Sequence, residues 1–151
     1  MVLAGLLLPV VAGVRLEAQQ TVCISNFHQI MMAMQMYRQD YDLPDSEPLP
    51  QFIKKALMPK YVSNERVFRC PLDPEWESRV GLVTLSYALP VVDAEWWPGV
   101  VARRGEDSPV IFDQWHAFPC FTPFCGGTVI VGRLSGTVVK TRKPVRDSRD
   151  L

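Results

Sequence analysis

The side chains able to do chemistry in this chain are few. Four cysteines stand at Cys23, Cys70, Cys120 and Cys125, and two histidines at His28 and His116. An even cysteine count in a small domain suits disulfides in an oxidising compartment, and four allow three connectivities, among which spacing alone does not choose. Cys120 and Cys125 bracket a compact loop, Cys-Phe-Thr-Pro-Phe-Cys, that a bond of its own would close. Together with His116 they form H-x3-C-x4-C, three residues of zinc-ligand type. Four-coordinate zinc needs one more, and Cys70 or His28 would supply it only over a long range, so the pattern favours a disulfide. Cys120, His116 and Asp113 also have the types of a nucleophile, a base and an acid. No nucleophile-elbow motif accompanies them, and oxidation would consume the thiol. No catalytic residue, metal ligand or cofactor is therefore expected, and without a G-x-x-x-x-G-K-S/T run no nucleotide motor is expected either.

The same question attaches to residues 23–41, CISNFHQIMMAMQMYRQDY, where sulfur and imidazole gather without a Gly or Pro. Cys23, Phe27, Ile30, Met34, Tyr37 and Tyr41 follow one another by three or four residues, which is one face of an α-helix. Met31 and Ile24 widen the stripe, while Gln29, Gln35, Arg38 and Gln39 fall on the wet side. His28 has no ligand partner four residues on, as a helical zinc motif requires. The stretch reads as a packing face, with its methionines as adaptable filler.

The elements that must position these residues follow from composition and punctuation. With 151 residues, 48% hydrophobic and 21% charged, the chain is long and apolar enough for one domain with a core. Sixteen basic and 16 acidic residues cancel, and no basic excess points to nucleic acid. Thirteen Pro against 9 Gly favour loops and turns beyond the first helix.

Residues 1–14, MVLAGLLLPVVAGV, carry no charge. The run is shorter than the roughly 20 apolar residues that span a bilayer, and it lacks the basic start of a signal peptide. It reads as the last part of a membrane or assembly helix, with Pro9 a kink point. From Val14 the helix is expected to run on to about Tyr41, where the Pro- and Asp-rich residues 42–48 end it. A short helix over about Pro50–Leu57 should follow, with Pro59 ending it. Short β-type runs come next: 67–69, 83–89, 110–112, 128–132 and 137–140, the last two joined by Arg133-Leu134-Ser135-Gly136, a hairpin signal. Residues 141–151 form a charged tail. Arg103 and Arg104, answered by Glu106 and Asp107, read as a solvated loop. Trp96 and Trp97, in an expected loop after Asp93, are candidates for a partner contact or a cover for the core. The plan is α+β: a long N-terminal helix packed on a small antiparallel β-sheet, with residues 1–14 as a partial helix, 15–140 as the globular domain including the amphipathic helix 15–41, and 141–151 as tail.

The order of several motifs resembles type IV pilin-like proteins and type II secretion pseudopilins, in particular a bacterial set with a methylation-type N-terminus and a C-terminal DGH motif. Leu6-Leu7-Leu8-Pro9, Arg15, Ala18, Cys23, Ser25, Asn26, Gln29, Ile30, Tyr37, Asp40 and Tyr41 stand in step with that pattern. Lys60-Tyr61-Val62, then Val67 to Pro74 around Cys70-Pro71, then Ser86-Tyr87-Ala88, continue it. Ser108 to Asp113 with His116, and Thr128 to Val138, complete it, so the resemblance spans about residues 6–140. Two departures stand out. The Gly-Phe-Thr-Leu-Ile-Glu type processing motif is absent. The acid before the late Gly is Ser135, which counts against the calcium site that such proteins carry in their C-terminal region.

The resemblance implies a pilin-like fold and a non-enzymatic subunit of a filament or of a secretion or surface apparatus. It implies a bacterial cell-envelope protein, anchored in the inner membrane by its N-terminal helix with the domain in the periplasm or outside the cell. Its expected partners are other pilin-like subunits, the assembly machinery and the membrane, and no nucleic acid. It also implies a Cys23–Cys70 bond, which closes a loop of about 48 residues and contributes about 4 kcal/mol in the chain-entropy model. The alternative expectation is a secreted, disulfide-bonded binding domain released from a signal peptide near residue 18.

Overall fold

The computed structural model describes residues 2–73, 86–87, 89–113 and 129–141. Helix α1 spans Val2–Asp40, a single run that continues through position 9. At about 1.5 Å per residue it is roughly 58 Å long. Its end is set by backbone geometry. Asp42 takes a positive φ of 50°, and the Leu43 N–H donates to the Arg38 carbonyl at 2.9 Å. That six-residue return is the Schellman type of helix stop, which needs one residue in the left-handed region.

Behind it, α2 (Ile53–Leu57) presents Ile53 and Leu57 to the core. A 3-10 turn over Glu65–Phe68 follows, its first N–H groups capped by the Asn64 side chain, which accepts from Arg66 N at 3.0 Å. The strand expected at 67–69 is therefore absent. Val67 and Phe68 are adjacent and both buried, and a helical turn can bury neighbours that a strand would send to opposite faces. Ser86 and Tyr87 form a bend instead of a strand, and the rest of the strand expected at 83–89, apart from Leu89, lies outside the described residues.

Helix α3 (Trp97–Arg104) occupies the region expected as loop. Asp93 starts it: its Oδ1 accepts from the Glu95 and Trp96 N–H groups, and its carbonyl accepts from Trp97 N. Pro98 suits the first turn, where no N–H is needed. Arg103 and Arg104 thus close a helix, a favourable place for cations.

Among the described residues the sheet has three strands, β1 (Pro109–Asp113), β2 (Val129–Arg133) and β3 (Val138–Thr141), antiparallel in the order β1-β2-β3. The expected hairpin forms: Gly136, at φ 85°, turns the chain, and Arg133 N donates to Thr137 O at 2.9 Å. Chain and sheet together are α+β, one long helix and a small antiparallel sheet. The helix lies close on β2 because position 132 has no side chain. A Cβ there would run into Met31 Sδ and come within 2.7 Å of Ile111 Cγ2. Phe27, Ile30, Met31 and Met34 from α1, with Ile53, Leu57, Phe68, Trp97, Ile111 and Ile130, make the fully covered core.

The expected helix stripe is buried at Cys23, Phe27, Ile30 and Met34 and half-buried at Tyr37, whereas Tyr41 is exposed, beyond the helix end. Arg38 departs from expectation. It is only 6% exposed, and its guanidinium donates to the Pro44 and Glu47 carbonyls, so it clamps the loop that follows the helix. The long stem buries along the core while the head finds carbonyl acceptors. Burial lowers its pKa, opposed by the nearby carboxylates of Asp45 and Glu47.

Candidate functional site

Three buried side chains from three separate elements converge under α1. Cys23 sits on the packing face of the helix, Cys70 follows the Glu65–Phe68 turn, and Asp113 ends β1. Their donor atoms all lie within 4.8 Å of one another. The Cys23 thiol donates to the Cys70 sulfur at 3.4 Å, and the Leu72 N–H donates to that same sulfur, also at 3.4 Å. The pair stands as two thiols, without a covalent bond between them.

A polar layer borders the cluster. Asn26, one turn along from Cys23, donates to the Arg69 carbonyl at 3.2 Å and to the Tyr87 hydroxyl at 3.1 Å. Tyr87 donates to the same carbonyl at 2.9 Å. The Tyr87 ring meets Phe27 edge-on, centroids 4.9 Å apart. Burial pushes the Tyr87 phenol far above its ordinary range, with Cys23, Cys70 and Asp113 adding to the rise and the Asn26 bond opposing it. Tyr87 thus stays a neutral hydrogen-bond bridge. Further along, Ser86 donates to Asp73 at 2.7 Å, tying the bend to the Cys70-Pro71 turn.

This arrangement supports two chemistries. Two thiols 3.4 Å apart need a shift of roughly 1.4 Å to reach the S–S bond length. Two sulfurs and a carboxylate oxygen are also zinc-type donors. Among the described residues no fourth Cys, His, Asp or Glu joins the three, and Tyr87 is committed to Arg69, so the donor set falls short of a closed four-coordinate zinc site. The sulfur pair is better suited to covalent closure. Both sulfurs are fully buried, as structural cysteines are.

The remaining expected site residues divide. Cys120, Cys125 and His116 lie outside the described residues. Trp97 is corrected from contact candidate to core: it is wholly buried, and its indole N–H donates to the Asp45 carbonyl at 2.8 Å. Trp96 is half-buried beside it. The Cys23–Asp113 approach was not legible in sequence, because nothing local marks two residues ninety positions apart as neighbours. His28 is exposed on the outer side of α1 and, among the described residues, joins no group of metal-type ligands.

The other notable surface is the helix itself. Every residue described from Val11 to Ala18 is exposed, on all sides of two turns, including Val14 at 65%. From Gln20 onward one face is buried. Among the described residues, no helix is long and apolar enough to cross a membrane. Comparison with protein-family models, curated proteins and solved structures finds no match.

Proposed function

We propose that this chain is a non-enzymatic, pilin-like subunit that works by assembly, its N-terminal helix packing against helices of neighbouring subunits in the cell envelope. The observation that carries this reading is the two-part burial of α1. Its distal half lies on the sheet, while every described residue of the two turns before it is exposed, with a single weak approach of Glu17 to Lys140 at 3.9 Å. An apolar helix that is exposed all round is unfavourable in water and is expected to have a protein or lipid environment. The uncharged run before Arg15 supports the same reading. The Cys23–Cys70 pair then has a structural role: it joins the helix to the domain that the helix must carry under load.

The test is made in the native cell. Antibody against the domain should find it in the envelope fraction, and a photo-crosslinking amino acid at Val14 should join it to other subunits. Recovery of a soluble mature protein beginning near residue 18 would instead establish the released binding domain.

A further inference from the structure

Asp113 is the third member of the buried cluster, and a structural bond between the two sulfurs does not by itself account for it. The carboxyl group that ends β1 is excluded from water together with both thiols, and the three donor atoms lie within 4.8 Å of one another. Taking a carboxyl group out of water is costly, so its place beside two thiols calls for a chemical reason. The two sulfurs also differ. Cys23 lies on the face of α1 that the sheet covers. Cys70 lies in the turn that runs on through Pro71 and Leu72, where the Leu72 N–H donates to its sulfur at 3.4 Å.

We infer that Asp113 accepts the proton of Cys23 when the Cys23–Cys70 bond closes. The bond is made by thiol–disulfide exchange, in which the attacking sulfur must be a thiolate. The oxidant is a disulfide, R–S–S–R, of an oxidising compartment. Cys70, brought out when its turn lifts, exchanges with it first, giving Cys70–S–S–R and one R–SH that carries off the Cys70 proton. When the turn returns, Cys23 stands against the Cys70 sulfur. The two are 3.4 Å apart as thiols, within the roughly 3–3.5 Å of a near-attack arrangement. The Cys23 S–H gives its proton to the Asp113 carboxylate, and its sulfur forms the S–S bond with Cys70. The bond from Cys70 to R–S breaks, with its electron pair on the leaving sulfur. That thiolate takes the proton from Asp113 and departs as the second R–SH. The pair is oxidised by two electrons, R–S–S–R is reduced to two R–SH, and Asp113 ends as it began.

The other groups around the pair are unsuited to this role. Tyr87, which approaches from the bend, is held neutral by burial and donates its proton to the Arg69 carbonyl. Asn26, on α1, donates to that carbonyl and to the Tyr87 hydroxyl. Asp73, three residues beyond Cys70, accepts from Ser86 and is not within the cluster. The inference does not depend on the assembly reading, since it concerns only the three buried side chains.

The experiment mixes the reduced full chain with oxidised glutathione, quenches with acid and follows the products by peptide mass spectrometry, which separates a Cys70–glutathione adduct from the closed Cys23–Cys70 bond. Asp113→Asn should let the adduct accumulate and should close it roughly tenfold or more slowly at pH 7, and Asp113→Glu should recover part of the rate. Backbone hydrogen exchange at Leu72 and Ile111, which reports opening without thiol chemistry, should match the parent. The pH profile of the parent decides the matter even if Asp113→Asn does not fold. With a base in place, decay of the adduct should rise less than about twofold from pH 7 to pH 8. A thiol that must ionise unaided, below its ordinary pKa of about 8.5, gives a rise of about tenfold. Closure of Asp113→Asn at the parental rate overturns the inference, as does a slowing that hydrogen exchange fully accounts for. A tenfold rise in the parent, an adduct on Cys23 in place of Cys70, or no Cys23–Cys70 bond at all overturns it as well. Each of these outcomes leaves the assembly reading standing.

Discussion

At the scale of single residues, the decisive ones are those that close contacts across the chain. Cys23 and Cys70 sit 3.4 Å apart at the junction of helix and loop. In protein made under oxidising conditions, non-reducing peptide mapping should recover a Cys23–Cys70 peptide. Loss of that bond through Cys70→Ser should lower stability by about 4 kcal/mol by the chain-entropy argument; recovery of Cys23 linked elsewhere defeats the assignment. Gly132 is the second such residue. The Cβ of Gly132→Ala has nowhere to go between Met31 and Ile111, so denaturant unfolding should show a loss of about 1–3 kcal/mol. An unchanged midpoint means that helix and sheet are not in close contact there. Asp40 is a milder case. Hydrogen bonds from Lys60 and then Tyr61 hold its carboxyl below the usual range. A depressed carboxylate contributes stability above its unfolded pKa of about 4 and loses it as pH falls through the lower folded value. The melting temperature of Asp40→Asn should therefore depend less on pH below about 4 than that of the parent. The group is fully exposed, so the difference is small; identical slopes would show that the pairing contributes nothing.

At the scale of elements, α1 is built twice over: a face that the sheet covers and an end that Arg38 fastens. Arg38 holds two carbonyls of the loop 44–47 while nearly excluded from water. Arg38→Ala leaves both acceptors without their charged donor, and chemical denaturation should report a loss of about 2 kcal/mol. Arg38→Lys should recover only part, because one ammonium does not reproduce the guanidinium fork. If Arg38→Ala is as stable as the parent, the loop is held by other contacts, such as the Trp97 indole on Asp45.

At the scale of the whole molecule, the domain and the projecting helix are separable. Residues 11–18 are exposed at every described position, and burial begins near Gln20. Removing residues 1–18 should leave the domain folded, with stability changed by about 1 kcal/mol or less on thermal unfolding. A collapse of the domain on truncation would show that the projecting turns are part of its core. The same deletion should end assembly if the proposed function holds.

What the sequence determined by itself was local periodicity. The step of three and four from Cys23 to Tyr37 and the Gly-bearing turn at 133–136 can be read because both signals lie within a few residues of one another. What it could not show depends on partners far along the chain. The 67–69 run has strand-forming residues, yet an Asn64 cap and the burial of two neighbours make it a 3-10 turn. Trp97 reads in sequence as either a partner contact or a cover for the core, and the helix that Asp93 starts turns it inward. Arg38 belongs by periodicity to the wet side, and only the loop folding back at 44–47 supplies the carbonyls that allow it to be buried. Cys23, Cys70 and Asp113 come from a helix, a loop and a strand. The resemblance implied that Cys23 meets Cys70, but Asp113 beside them was decided by tertiary structure alone, because packing a helix on a sheet sets distances between residues that share no local pattern.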